Sequence, residues 1–242
     1  MVEELFSDLT EREKNLLKAI LKEYYKTGDA VSSLSLDRKG YFEVSSATIR
    51  NDLASLTEKG YLKKIHSFSG RLPTDKSFRF YVLSQLEEGN KNLQKIRERI
   101  EKKINDFISD FSRGDREKEL VEFISNECQS YGFCYFFDKN EIIQKGFKYL
   151  IKEIPELKEE RELKKLGELI DNLSEFLQEI QLENEIEIYI GEENPFLKIE
   201  SIAMMLAQAK DNVLGIIGPK KMPYERNIVF IKAIRNFIIN EI

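Results

Sequence analysis

Three patterns in the amino-acid sequence predict an α+β fold in two parts. Residues 9–62 carry apolar positions at helical spacing in three successive segments separated by turn residues. Residues 131–137, 142–145, 186–190 and 213–217 are short apolar or alternating runs bounded by Gly, Asn, Asp or Lys, as strands are. Between the two, Leu93, Ile96, Ile100, Ile104, Phe107 and Phe111 step by threes and fours through a segment that is otherwise charged. The expected division is an N-terminal helical domain with an appended hairpin over 1–83, a connecting helix over 84–113 and an α+β domain over 114–242.

The first helix runs from Leu9 to Thr27. Thr10 with Glu13 three residues on is a capping box. Leu9, Leu16, Leu17, Ile20, Leu21, Tyr24 and Tyr25 form the stripe, and Gly28 ends it. Val31 to Arg38 reads as a shorter helix capped by Ser32 or Ser33, and a turn around residues 39–43 leads into the third. There Ser45 can cap the helix, since its hydroxyl accepts a backbone N–H left unpaired at the start. Ile49, Leu53 and Leu56 face inward and Gly60 supplies a left-handed stop. Two helices joined by a short turn, the second led by small hydroxyls, Arg50 and Asn51, suit insertion into a DNA major groove. An amphipathic helix with a solvated face fits that stretch alone equally well, so its neighbours decide.

Those neighbours favour DNA. Tyr61 to His66, a Gly-containing turn and Arg71 to Thr74 make a hairpin, which beside a helix-turn-helix is a wing, with Arg71 expected at its tip. Aromatics of the helix starting at Asp75 should pack the wing onto the bundle. From Arg38 to Leu83 there are nine Lys or Arg against four acids, a local charge of +5 inside a chain of net charge −5. Ser45, Ser46 and Thr48 are the expected phosphate-positioning groups. Arg50 and Asn51 are the expected base readers, because arginine pairs bidentately with guanine and asparagine with adenine. Lys63, Lys64, Arg71 and Lys76 are expected to attract phosphates in a salt-dependent way.

Bulk properties exclude other classes. At 242 residues, 33% charged and 41% apolar, the chain has room for two small domains. No apolar run approaches the ~18 residues of a membrane span, and the acidic, amphipathic N-terminus does not read as a signal peptide. Cys128 and Cys134 form neither a disulfide framework nor a metal spacing, so a reduced cytoplasmic setting is expected, with no metal and no cofactor. Catalysis is not expected. His66 is the only histidine, and no Ser–His–Asp or Cys–His set assembles around it. Cys134 reads as a small core residue. Gly215 to Lys221 lacks the spacing of a phosphate loop.

Four segments carry a family resemblance: LTEREKNLLKAILKEYYKTGDAV, VSSATIRNDLASLTEKGYL, HSFSGRLPTDKSFRFYV and, far downstream, VLGIIGPKKMPYERN. In this order they resemble the HrcA family of heat-inducible transcription repressors. The resemblance implies a winged helix-turn-helix domain followed by a GAF-like α+β domain carrying an inserted dimerisation segment. It also implies an inverted-repeat operator upstream of chaperone operons, binding as a homodimer, heat inactivation, and the chaperonin GroEL as a partner that restores the active form. Family members are typically longer than this chain. The shortfall is expected between Phe111 and Glu156, which makes the Leu93 to Phe111 stripe the better dimer seam; packing against the chain's own second domain is the competing reading.

The rest of the acidic half reads as a helix over 117–130, a strand pair over 131–137 and 142–145, and a leucine-striped helix over 154–179. A half-exposed strand over 186–190 follows. Residues 201–209 favour helix on propensity, but Asp211-Asn212 ahead of Val213 to Ile217, together with the family pattern, favours a hairpin of two strands. A last helix completes the chain over 228–239. A ligand-gated regulator sensing an effector through its GAF-like half is the alternative reading; a protein-binding scaffold using the 93–111 stripe is a third.

Overall fold

A computed structural model describes residues 5–42, 44–64, 70–87, 91–110, 116–154, 159–196 and 198–241. The chain forms two compact units, Met1–Glu88 and Gly89–Ile242.

In the first unit, α1 (Glu11–Thr27) starts at the predicted capping box: the Thr10 hydroxyl accepts from the Glu13 amide and the Glu13 carboxylate accepts from the Thr10 amide at 2.8 Å. Ser32 caps α2 (Ser33–Arg38), and Ser45 caps α3 (Ser46–Glu58) by accepting from the Thr48 amide at 3.2 Å. Gly60 turns the chain with φ +79°, and β1 (Leu62–Lys64) then pairs antiparallel with β2 (Arg71–Pro73). A bridge between Val31 and Arg71 adds a third, one-residue strand to this hairpin. Helix α4 (Asp75–Glu87) returns across α1, with Phe78 edge-on to Tyr24 and Tyr25 at 5.9 and 6.0 Å. Leu17, Ile20, Leu36, Ile49, Leu56 and Tyr61 lie at the centre with at most 1% exposure.

The second unit is built on one antiparallel sheet. Helices α5 (Lys91–Asp110) and α6 (Arg116–Cys128) precede β3 (Tyr131–Phe136) and β4 (Glu141–Lys145). After α7 (Phe147–Glu153), α8 (Glu160–Asp171) and α9 (Leu173–Glu179) come β5 (Ile186–Ile190), a 3₁₀ turn, β6 (Ile202–Ala209), β7 (Asn212–Pro219) and α10 (Tyr224–Glu241). The strand order is β4-β3-β7-β6-β5. Strands β3, β6 and β7 are buried almost throughout, so helices must cover both faces. Tyr131, Phe133, Tyr135, Met204, Leu206 and Ile217 share one face with Leu150, Leu166, Leu169, Leu173 and Leu177 from α7, α8 and α9. The other face carries α6 and α10, and α5 lies against α10. The arrangement is α+β and GAF-like, with β6 and β7 the expected hairpin.

Two expectations change. The leucine-striped segment is two helices, with Asn172 at the break, and α7 precedes it unforeseen. The 93–111 stripe is largely spent within its own unit. Ile100 and Ile104 are buried at 3% and 6% exposure, and Phe107 stacks on Phe123 of α6 with ring centres 4.2 Å apart. Phe123 in turn meets Phe230 of α10. Leu93 and Ile96 remain half-buried, and Phe111 lies outside the described residues. Periodicity marks a face that will be covered; it does not say by which chain.

The wing depends on one close approach. A Cβ on Gly70 would sit 2.7 Å from the Val31 carbonyl carbon and oxygen, a backbone that cannot move without breaking the Val31–Arg71 bridge. Gly70→Ala is therefore expected to destabilise the first unit by about 2 kcal/mol. Urea denaturation checks this, and an unchanged midpoint would show that the Val31–Arg71 bridge is not needed.

Candidate nucleic-acid interface

Helix α3 has a clean division of faces. Ile49, Asp52, Leu53 and Leu56 are buried, whereas Ala47, Arg50, Asn51, Ala54 and Glu58 are exposed. Steps of three or four residues, from Ala47 to Arg50 and Asn51, then to Ala54 and Glu58, put those five on one stripe. Arg50 and Asn51, the two expected readers, stand at its middle and make no hydrogen bond or ion pair among the described residues. Sequence reading passed over Ala47 and Ala54. Their signal was available: small residues at i−3 and i+4 of Arg50 leave room for a groove wall and a methyl that can meet thymine.

The hydroxyls at the leading end are engaged locally. Ser45 and Thr48 hydrogen-bond each other at 3.0 Å as well as through the cap, and Ser46 is half-buried beside them.

What holds α3 in place is acidic and buried. Glu13, 4% exposed, accepts from Ser55 at 2.7 Å and from the Lys59 ammonium at 2.8 Å while still capping α1. Burial works to raise the pKa of this carboxyl, but the donors Lys59, Ser55 and Thr10 more than reverse that and leave it at about 2. One turn earlier, Asp52 receives a bidentate pair of bonds from Arg12 at 2.8 and 2.7 Å. Lys39 pairs with Glu23, and Lys76 with Asp8 at 3.2 Å.

Two of the expected phosphate ligands also have partners within the fold. Arg71 is not at the tip of the wing. It opens β2 opposite Lys64, and its Nε donates to the Thr57 hydroxyl of α3 at 3.1 Å. Lys76 lies over the Tyr61 ring at 4.0 Å and donates to the Lys59 carbonyl at 3.0 Å, besides its bond to Asp8. Both brace the wing and α4 against the helical core. Lys63 and Lys64 are exposed on β1. Arg38, exposed in the last turn of α2 and without a partner among the described residues, joins Arg50 and Lys64 as a cation not consumed by the fold. The tip itself, with His66, lies outside the described residues. Among the described residues no cluster of three or more His, Cys, Asp or Glu could hold a metal, and no helix is long and apolar enough to cross a membrane. Both cysteines are free and buried, and burial pushes the Cys128 thiol up to about 12.

Comparison with known proteins matches two segments of the chain. A model of the HrcA protein C-terminal domain matches residues 82–228, and one of the DeoR-like helix-turn-helix domain matches residues 37–70. The heat-inducible transcription repressor HrcA of Acetivibrio thermocellus is 41% identical over 102 residues, 41% of this chain and 29% of that protein. Those of Thermodesulfovibrio yellowstonii and Thermoanaerobacter sp. strain X514 are 24% and 25% identical, over 93% and 96% of this chain and 95% and 98% of theirs. The first of these long alignments has 336 positions but takes in 93% of 242 residues, so roughly 110 of its positions are missing from this chain. A crystal structure of a hypothetical protein shares the fold, with a TM-score of 0.72 at 17% identity over 96% of this chain and 98% of its own.

Glu13→Gln tests the clamp. At about 1.4 kcal/mol per pKa unit, a carboxyl at about 2 rather than an ordinary 4.5 contributes on the order of 3 kcal/mol at neutral pH. Because the folded-state pKa is depressed, that contribution is complete above 4.5 and disappears as pH falls towards about 2. Denaturation of parent and variant should therefore differ at pH 7 and converge in acid; a gap independent of pH would refute the charge-based account.

Proposed function

Because the chain belongs to the HrcA family of heat-inducible transcription repressors, we propose that it represses by laying α3 in the major groove of an inverted-repeat operator upstream of chaperone genes. The observation that carries this reading is the exposed stripe of α3, where Arg50 and Asn51 stand unpartnered among the described residues between two alanines. Arg50 reads a guanine and Asn51 an adenine. Ala47 and Ala54 lie against base edges, and their small size sets how deeply the helix can sit. Ser45, Ser46 and Thr48 offer hydroxyls and helix-start amides to a phosphate. Lys63 and Lys64 approach the backbone from β1, with Arg38 doing so from α2, while Arg71 and Lys76 position the wing.

An inverted repeat calls for two copies related by a two-fold axis. The protein binds as a homodimer, with Leu93 and Ile96 the part of the α5 stripe left for a partner. Heat releases the operator by melting the contacts that hold the dimer, and GroEL is the partner that restores the active form.

Gel shifts on an inverted-repeat operator test the readers. Arg50→Ala should cost about 1–3 kcal/mol and relax preference at one base pair, whereas Lys64→Ala should weaken all sequences evenly and reduce the salt slope by about one. Unchanged operator affinity in Arg50→Ala would remove it as a reader. For the thermal step, light scattering should show loss of the dimer over the temperatures at which binding is lost; an intact dimer there would refute release by dissociation.

A further inference from the structure

The second unit contains a cleft lined by none of the residues assigned to DNA or to the dimer. It opens between α7 and α8 over the ends of β3 and β4, with a volume of about 560 Å³. That falls in the range of small-molecule sites, about 300–1,000 Å³. Its lining is mostly apolar. The Tyr131 ring is 4% exposed, its hydroxyl is already donated to Gln144, and Ile170 is half-buried beside it. Phe147 meets the Tyr131 ring edge-on at 6.3 Å, yet 45% of it remains open.

Two further features point to an occupant. Gly167 lies in the middle of α8, where glycine costs about 1 kcal/mol relative to alanine. A Cβ there would meet nothing within 4 Å, so packing within the protein does not demand the glycine. It keeps the cleft open along its helical wall. Then there are the charges. Lys145, half-buried, and Asp171 both line the cleft, and neither makes an ion pair among the described residues. Asp171 is near enough to act with burial in holding the Tyr131 hydroxyl above its ordinary range. It also closes α8, where the negative end of the helix dipole favours a cation.

One unpaired cation, one unpaired anion and an apolar wall with a glycine gap describe a complement. We propose that this cleft binds a small zwitterion with an apolar side chain, a free aliphatic or aromatic amino acid. Lys145 receives its carboxylate, Asp171 its ammonium, and the side chain lies on Phe147 and Ile170 across Gly167. The site belongs to the second unit alone and its assay needs no operator, so the outcome is independent of the repressor reading.

Calorimetric titration and thermal melting of the full chain test it, with L-leucine and L-phenylalanine as probes and N-acetyl-L-phenylalanine amide as the uncharged control. Expected is saturable binding and a rise in melting temperature with one or both amino acids and none with the capped control. Lys145→Gln and Asp171→Asn should each weaken binding at least about tenfold, since each removes a charged partner. Gly167→Phe should abolish it; if that variant does not fold, the two charge variants decide. No saturable response to either amino acid at millimolar concentration overturns the proposal. Equal binding of the capped control, or unchanged affinity in both charge variants, does so too.

Discussion

The position of α3 depends on one buried carboxylate. Glu13 caps α1 and at the same time accepts from Ser55 and Lys59 on and beside α3. With Asp52 bonded to Arg12 a turn earlier, α3 is fastened to α1 at two levels. A buried carboxylate is tolerable only when its oxygens are satisfied, and here donors from two helices meet that demand together. The clamp also has an electrostatic consequence. The acids near α3 face inward and are neutralised, so its outward stripe carries no acid until Glu58. A helix that presented Asp52 outward would set a negative charge on the stripe that carries Arg50 and Asn51.

The same fastening changes what the local charge means. Of the cations counted between Arg38 and Leu83, Lys39, Lys59 and Lys76 pair with Glu23, Glu13 and Asp8. All three carboxylates lie earlier in the chain, outside the stretch that was counted. A linear window therefore treated as free several charges that the fold uses. The cations left over, Arg38, Arg50 and Lys64, are fewer than the count suggests.

In the second unit the controlling constraint is a sheet buried on both faces. Once β3, β6 and β7 are apolar on both sides, helices must cover each side. Helices α6 and α10 take one face, and α5 adds its stripe against them through Ile100, Ile104 and Phe107. On the other face α7 and α8 cover the core with Leu150, Leu166 and Leu169 but leave Phe147 and Leu163 exposed at the surface. That incomplete cover gives this half of the molecule a cleft.

Sequence alone determined a good deal. Caps at Thr10 and Ser45, the choice of Ser32 or Ser33 for the cap between them, the stop at Gly60, the hairpin and the strand pairs are local, set by hydrogen bonding and periodicity within a few residues. So was the division of α3 into an apolar face and one bearing Arg50 and Asn51. Motifs spread along the chain were enough to identify its family. Partners distant in sequence were not legible. That Arg71 would bond Thr57, that Lys76 would lie on Tyr61, and that α5 would pack on its own unit follow from which surfaces meet. Helical spacing records that a face is apolar and a charge count records that a cation exists. Only tertiary packing decides what covers the face and whether the cation is still free to bind anything else.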